Sequence, residues 1–371
     1  MNQHLKIEKQ KNGLLELMRF LCAASVILFH MNKDVWKKKL ILLDMGWMGK
    51  LTPAKNGNIC VEFFFLLSGL FMAKTIYDSL HKESNGIPLC KETALYTWKK
   101  AKRVMFYYIP ACVLYFLLSL LFKNSFSFWR IISYLPSFLF LQRTGVAENS
   151  FLIVSWYLCS LLIATAILYP ICKKYYDLFT RLYGPLLAIL LIGIMIKETR
   201  SLGGVWEWMG FTYKANLRAI AGISLGMTCF EVGRRLKKAE FNENGRIGIT
   251  LIGFAAYTIA FLYFYSSALY RYSGIIELIL CVAVTISFSE VGYLCSKEIF
   301  QKKLFFYLGS ISLPMFLLQD LFRQIVSHMI PEEKKRLGAL IIFFGTLTSA
   351  ILFELVKSQV MKLRSAHRVV S

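Results

Sequence analysis

Two residues of this sequence have both the chemistry and the spacing to act together. Arg19 and His30 stand eleven positions apart in the run GLLELMRFLCAASVILFHM. At 3.6 residues per helical turn, eleven positions make almost three full turns, so both side chains fall on one face, about 16 Å apart along the axis. One is a permanent cation that can grip phosphate or steady developing negative charge. The other is an imidazole that can take or give a proton near neutral pH. Glu16, three positions before Arg19, is spaced to pair with it. Ionisable groups inside an apolar segment cost about 2.5–3.5 kcal/mol each on insertion scales, so they mark a candidate functional site. The plainer alternative is that Arg19 snorkels to headgroups at one end of the helix while His30 sits at the opposite interface. Of the five histidines, His30 is the one within an apolar run; His328 marks the end of another, and His4, His81 and His367 fall in tails or loops.

A second apolar run, NICVEFFFLLSGLFMAKTI, holds Glu62 among phenylalanines and a Ser68-Gly69 step at mid-depth. A lone carboxylate there needs a polar cavity or a cationic partner, and Arg19 or His30 is the expected neighbour. Gly69 reads as a point of close helix packing, because small residues let backbones approach. Later polar residues are less readable: Arg218 opens one apolar run and Glu231 nears its end, while Asp320 and Arg323 are spaced to neutralise each other.

Elements able to position such groups must be membrane helices. Of 371 residues, 56% are hydrophobic and 18% charged, and the mean hydropathy is +0.52. A water-soluble chain carries more charge and breaks its apolar runs with polar faces. Apolar runs fall near 14–31, 57–78, 104–122, 151–171, 183–197, 217–233, 247–266, 273–295, 304–327 and 337–357. Each is of the order needed to cross a ~30 Å hydrocarbon core as helix. The expected fold is therefore all-α: one polytopic bundle of about ten spans over residues 1–371, with no soluble extracellular domain and no cleavable signal. An eleventh candidate, 131–141, is short and contains Pro136, which suits a re-entrant or interfacial helix. Leaving it out places the excess of Lys and Arg on the N-terminal side, so both termini are expected in the cytoplasm of a multi-pass cell-membrane protein.

The net charge of +22 would suggest nucleic acid in a soluble protein. Here the cations sit in short loops between apolar runs, where they set topology and meet anionic lipid headgroups, so nucleic acid is not an expected partner. The nine cysteines are scattered without a CxxC, which gives no metal site or disulfide framework. A transporter or flippase of lipid-linked or small polar substrates is the main rival to an enzyme. It would usually show internal repeats and paired Gly/Pro-broken helices, which the sequence lacks.

The first two runs resemble the acyltransferase family 3 membrane enzymes, which transfer acyl groups to sugars and related acceptors. The family's Arg, ten residues, then His is matched by RFLCAASVILFH from Arg19 to His30, and its FFVLSGF-like stretch by FFFLLSGLF from Phe63 to Phe71. WKKAKRVMFYYIP, with Lys99, Arg103 and Pro110, is similar to the basic segment entering the third span. SWYL at Ser155–Leu158, NLRAIAGISLGM at 216–227 and LGSISLPMFLLQD at 308–320 are similar to later motifs, in the family's order. The last motif usually ends in His and here has Gln319-Asp320, which puts any role of that His in doubt.

The resemblance implies transfer of an acyl group, expected to be acetyl, from acyl-CoA (acetyl-CoA) to a hydroxyl of a glycan or related acceptor at the cell surface, with no metal. It implies His30, Arg19 and Glu62 as catalytic residues. His30 would be the base, with direct attack and a covalent acyl-His relay both open. Arg19 would bind CoA phosphate or stabilise charge, with Lys99, Lys100, Lys102 and Arg103 as further phosphate-binding cations. Ser68, Trp156 and the Tyr107-Tyr108 pair would line the donor or acceptor path. An ordinary positive-inside loop and interfacial aromatic belts account for the basic and aromatic residues almost as well.

Overall fold

The computed structural model describes residues 12–35, 40–44, 50–82, 86–123, 128–146, 150–267, 270–293 and 298–370. Among these residues run eleven helices of eleven residues or more: α1 (Gly13–Asp34), α2 (Cys60–Leu80), α3 (Leu89–Lys123), α4 (Phe128–Phe138), α5 (Trp156–Lys174), α6 (Gly184–Thr199), α7 (Lys214–Lys238), α8 (Glu243–Tyr265), α9 (Ser273–Ser289), α10 (Lys303–Met329) and α11 (Lys335–Val370). Eight helical segments are long and apolar enough to cross a membrane. The two other expected spans are also helical. α7 is apolar but carries too many charges to stand out by hydropathy, and α9 is short, ending at Ser289 rather than 295. Helix α4 is eleven residues, about 16 Å, and cannot bridge a ~30 Å core, in line with its exclusion from the span count.

The outer surface inverts the water-soluble pattern. Leu251, Phe254, Leu340, Leu352 and Val356 are each more than half exposed, a belt of large apolar side chains that water would not tolerate and lipid does. Inside, two contacts organise the bundle. α2 and α7 meet backbone to backbone: a Cβ on Gly69 would lie 2.0 Å from the Ile223 carbonyl oxygen, and one on Gly226 2.0 Å from that of Leu66. The glycines of the second run and of NLRAIAGISLGM are thus one reciprocal contact, as small-residue packing in membranes requires. α1 and α10 form the second contact and run parallel. At its start the Glu16 carboxylate covers Gly309, where a Cβ would lie 1.8 Å from Oε2. At its finish Asp34 pairs with Arg323.

Local signals set the ends of these helices. Asn12 caps α1, its side-chain oxygen accepting from the Leu15 amide at 3.1 Å while its Nδ2 donates to the Ser287 carbonyl at 2.6 Å. Asn242 caps α8 in the same way through Gly245. Between α5 and α6 a five-residue π-turn, Phe179–Tyr183, offsets the helix and turns Arg181 toward Glu231 of α7.

Candidate functional site

The α1 face carrying Arg19 and His30 looks onto a polar seam between α1, α2, α3, α5, α10 and α11. The side of the bundle where α1 starts is called the near face here, and the opposite side the far face. Arg19, partly exposed, donates from Nη1 to Glu16 Oε2 at 2.8 Å, the pair expected from their spacing. Its charge lies within electrostatic reach of the phenols of Tyr107 and Tyr157, and the Tyr157 hydroxyl lies against Ser68. Tyr107 of α3 donates to Glu354 Oε2 at 2.7 Å, and Lys357 of α11 bonds both Tyr107 and Glu354. Six ionisable side chains from four helices, Glu16, Arg19, Tyr107, Tyr157, Glu354 and Lys357, therefore gather at the near half of the seam. Tyr108 turns away and donates to the Ser137 carbonyl at 3.2 Å, so the Tyr-Tyr pair splits between two environments.

The far half belongs to His30. Its ring stands edge-on to Phe29, with centroids 5.1 Å apart, and its Nδ1 is buried without a hydrogen-bond partner. Glu16 against Gly309 and Asp34 against Arg323 fix the register of α1 with α10, which puts His30 level with Gln319 and Asp320. Gln319 is fully buried with its Oε1 unpartnered, so the α10 position where the family motif usually has His holds an amide with a vacant acceptor. By the same register Phe316 falls between the levels of Arg19 and His30. It stands 5.6 Å from the Tyr157 ring and 6.4 Å from that of Phe64.

One helical turn beyond His30 an ion chain closes the far end. Arg323 donates from Nε to Asp34 Oδ2 at 2.6 Å and from Nη1 to Asp320 Oδ1 at 2.5 Å. The Val154 amide donates to Asp320 Oδ2 at 3.2 Å. Arg323 and Lys33 are the cations within electrostatic reach of His30. Asp34, Tyr115, Ile153, Asp320, Arg323 and Gln324 line part of a cavity of about 410 Å³ that opens on the far face. The i, i+3 pairing of Asp320 and Arg323 follows their sequence spacing.

Glu62 differs from its expected pairing. It meets neither Arg19 nor His30: Arg218 of α7 donates from Nε to Glu62 Oε1 at 2.6 Å and from Nη2 to the Asn58 carbonyl at 3.3 Å. The physical reason is the glycine contact of α2 with α7, which sets the Glu62 face of α2 against α7 rather than α1. Trp156 joins this group, with the Arg218 guanidinium 5.0 Å from its ring centroid. Buried Glu277 of α9 lies within electrostatic reach of both members of the pair. Trp156 is therefore not beside the basic end of α3, whereas its neighbour Tyr157 faces the seam.

Lys99, Lys102 and Arg103 are exposed on the near-face end of α3, where Arg103 stands one turn before Tyr107. Among the described residues no hydrogen bond or ion pair joins them to Arg19. Lys100 points inward to Thr165 at 3.4 Å. Among the described residues no group of three His, Cys, Asp or Glu side chains is placed to hold a metal ion.

Sequence reasoning missed Tyr157, Asp34, Gln324 and Glu277. Asp34 could have been found by continuing the Arg19–His30 face one more turn, and Tyr157 by its place in SWYL. Glu277 could have been found by the rule that singled out Glu62, a lone carboxylate inside an apolar run, whereas nothing in the sequence singles out Gln324.

In comparisons with known proteins, the model of a family described as an acyltransferase domain matches residues 12–355, nearly the whole chain. No curated protein matches the chain. No solved structure matches it.

Proposed function

Because the chain belongs to the acyltransferase family 3 membrane enzymes and is a multi-pass membrane acyltransferase, we propose that it moves an acyl group, acetyl in the first instance, from acyl-CoA to a hydroxyl of a glycan or related acceptor at the cell surface. The observation that carries this reading is His30: a half-buried imidazole whose Nδ1 is buried and unpartnered, between a cationic near end at Arg19 and a polar cavity at the far face. In this reading the membrane is the cell membrane, both termini are cytoplasmic, and the near face meets the CoA pool.

The chemistry follows from the two ends. The neutral imidazole of His30 takes the proton of the acceptor hydroxyl as its oxygen attacks the thioester carbonyl carbon. The carbonyl becomes an oxyanion, the C–S bond breaks as it collapses, and the CoA thiolate leaves with the proton that His30 returns. One ester forms, one thioester is lost, and the histidine is regenerated. Arg19, about 16 Å deeper toward the near face, is too far to touch the same atom. It suits the donor's phosphates, with Lys99, Lys102 and Arg103 on the approach and Ser68 along the path past Tyr157. Glu62 acts at one remove, through Arg218, by holding Trp156 and with it the α2–α5–α7 junction.

The test is thioester consumption. Protein in nanodiscs should release free CoA from acetyl-CoA when given an acceptor extract, and His30→Ala and His30→Gln should abolish the release. Surface glycans from cells with and without the protein should differ by ~42 Da per modified site. Wild-type protein that stays inert across acetyl- and succinyl-CoA and varied acceptors would sink the proposal.

A further inference from the structure

The far-face cavity is more selective than its polar character alone implies. Its one strongly buried cation, Arg323, is already engaged by two carboxylates, Asp34 at 2.6 Å and Asp320 at 2.5 Å. Two of its five N–H donors are taken and its positive charge is offset by both carboxylates, so an incoming anion meets two negative groups around one cation. At the rim Lys335 faces Glu332 at 4.0 Å, so the charged lining residues comprise three carboxylates against two cations, a net of one negative charge.

The hydrogen-bonding capacity of the wall points the same way. Gln324 is buried, and its Oε1 has no partner. Ser327 and His328, which could have served it, donate instead to the Gln324 main-chain carbonyl, each at 2.9 Å. Asp320 has both oxygens occupied, by Arg323 and by the Val154 amide. The wall thus offers acceptors, at the Gln324 amide and the Asp34 carboxylate, and asks for a ligand that donates. A volume of about 410 Å³ lies in the range of small-molecule sites, roughly 300–1,000 Å³. His30 sits one turn, about 6 Å along the α1 axis, inward of Asp34, so a ring held at Asp34 and Gln324 would present a hydroxyl toward the imidazole.

We infer that the cavity bounded by Asp34, Asp320, Arg323 and Gln324 is the acceptor subsite, and that it takes neutral polyhydroxyl compounds and rejects anionic ones such as uronates. This rests on the acyltransferase reading for the word acceptor, but the charge selectivity is a property of binding and can be measured without turnover. Asp34 and Gln324 are specificity residues, reading hydroxyl donors, and Arg323 holds the two carboxylates in position.

The experiment is a titration of purified full-length protein in phosphatidylcholine nanodiscs, following the rise in unfolding temperature as ligand is added. Three probes share one ring: methyl α-glucopyranoside, glucuronate and, at pH 7, glucosamine. The neutral glucoside should bind about tenfold more tightly than glucuronate, since like-charge juxtaposition is strongly penalised. Asp34→Asn removes one negative charge and leaves the charge of Arg323 less offset, so glucuronate should then approach the glucoside to within about threefold. Gln324→Leu changes no charge and should weaken the glucoside while leaving glucuronate weak, which keeps the test decisive if Asp34→Asn is poorly folded.

Equal binding of glucuronate and glucoside to the wild type would overturn the inference. So would binding of glucosamine much weaker than that of the glucoside, since a net negative wall does not repel an ammonium, or binding of all three that ignores both substitutions. Free CoA release from acetyl-CoA is read in parallel. Charge-selective binding without thioester consumption supports the subsite and counts against the enzyme reading. Thioester consumption with no charge selectivity does the reverse.

Discussion

Removing Arg218 should be among the most damaging single changes in the bundle, and removing Glu62 with it should undo most of the damage. The pair is almost wholly sequestered, with Glu62 at 0% and Arg218 at 1% exposure. Arg218→Met leaves the Glu62 carboxylate with no cation on Oε1, an already vacant Oε2, and Glu277 within electrostatic reach. Breaking a buried pair by removing one partner typically costs about 3–5 kcal/mol, whereas replacing both with apolar groups of similar volume is often neutral. The expected ledger is about 3–5 kcal/mol for Arg218→Met, a similar loss for Glu62→Met, and about 1 kcal/mol for the double variant. The coupling energy, the double loss less the two single losses, is therefore about −5 to −9 kcal/mol, most of the sum of the single effects. Unfolding in detergent, followed by tryptophan fluorescence for all four proteins, measures it. Simple addition of the two single losses would refute the pairing. The same four proteins address function: a double variant that regains stability and thioester consumption makes Glu62 a positioning residue, and one that regains stability alone returns it to the catalytic group.

Three further outcomes follow from the geometry. Gly309→Ala should displace the Glu16 carboxylate, which a Cβ would meet at 1.8 Å, and cost about 1–3 kcal/mol as an overpacked contact; thermal unfolding reads it, and Glu16→Ala in the same chain should restore part of the loss. Gly226→Val should separate α2 from α7 by the same logic, with an unfolding-temperature drop larger than that of a Gly193→Val control, since a Cβ at Gly193 meets open space. Tyr107→Phe removes one donor to Glu354 and should raise the KM for acyl-CoA several-fold with little change in kcat, if the near half binds donor phosphates; an unchanged KM would separate this cluster from the donor path.

Much of this was legible in the sequence wherever the relevant partners lie on one helix. Arg19 and His30 share a face because one helix carries both, and Glu16–Arg19 and Asp320–Arg323 pair because three residues nearly complete a turn. Gly69 could be read as a packing point from its size alone. The partner of Glu62 could not, because it lies 156 positions away on α7 and is brought in only by the meeting of Gly69 and Gly226. Arg323 and Asp34 are 289 positions apart, and their contact depends on the α1–α10 register. Helix α3 begins at Leu89, fifteen residues before its apolar part, since KETALYTWKKAKRV is rich in good helix formers but invisible to hydropathy. Hydropathy reports where a helix is lipid-soluble, and the basic end that approaches the near face lies outside that signal.

The departure at Gln319-Asp320 tells more than its mismatch with the family pattern. A second histidine on α10 would stand level with His30 and could share its proton traffic; here that level holds a buried amide and a carboxylate already committed to Arg323 and the Val154 amide. Neither is placed to carry a proton for the reaction, since Gln319 does not titrate and Asp320 is consumed in the ion chain. In the proposed reaction, proton transfer then falls to His30 alone, and the α10 groups are left to shape the proposed acceptor side. The substitution Gln319→His should accordingly leave thioester consumption dependent on His30. In the His30→Ala background it should recover only a small fraction of the rate, because its imidazole would start from α10 rather than from the face that leads to Arg19. Recovery to within about threefold of wild type, measured by CoA release, would show that the level and not the helix determines which imidazole serves, and would assign the proton to the seam as a whole.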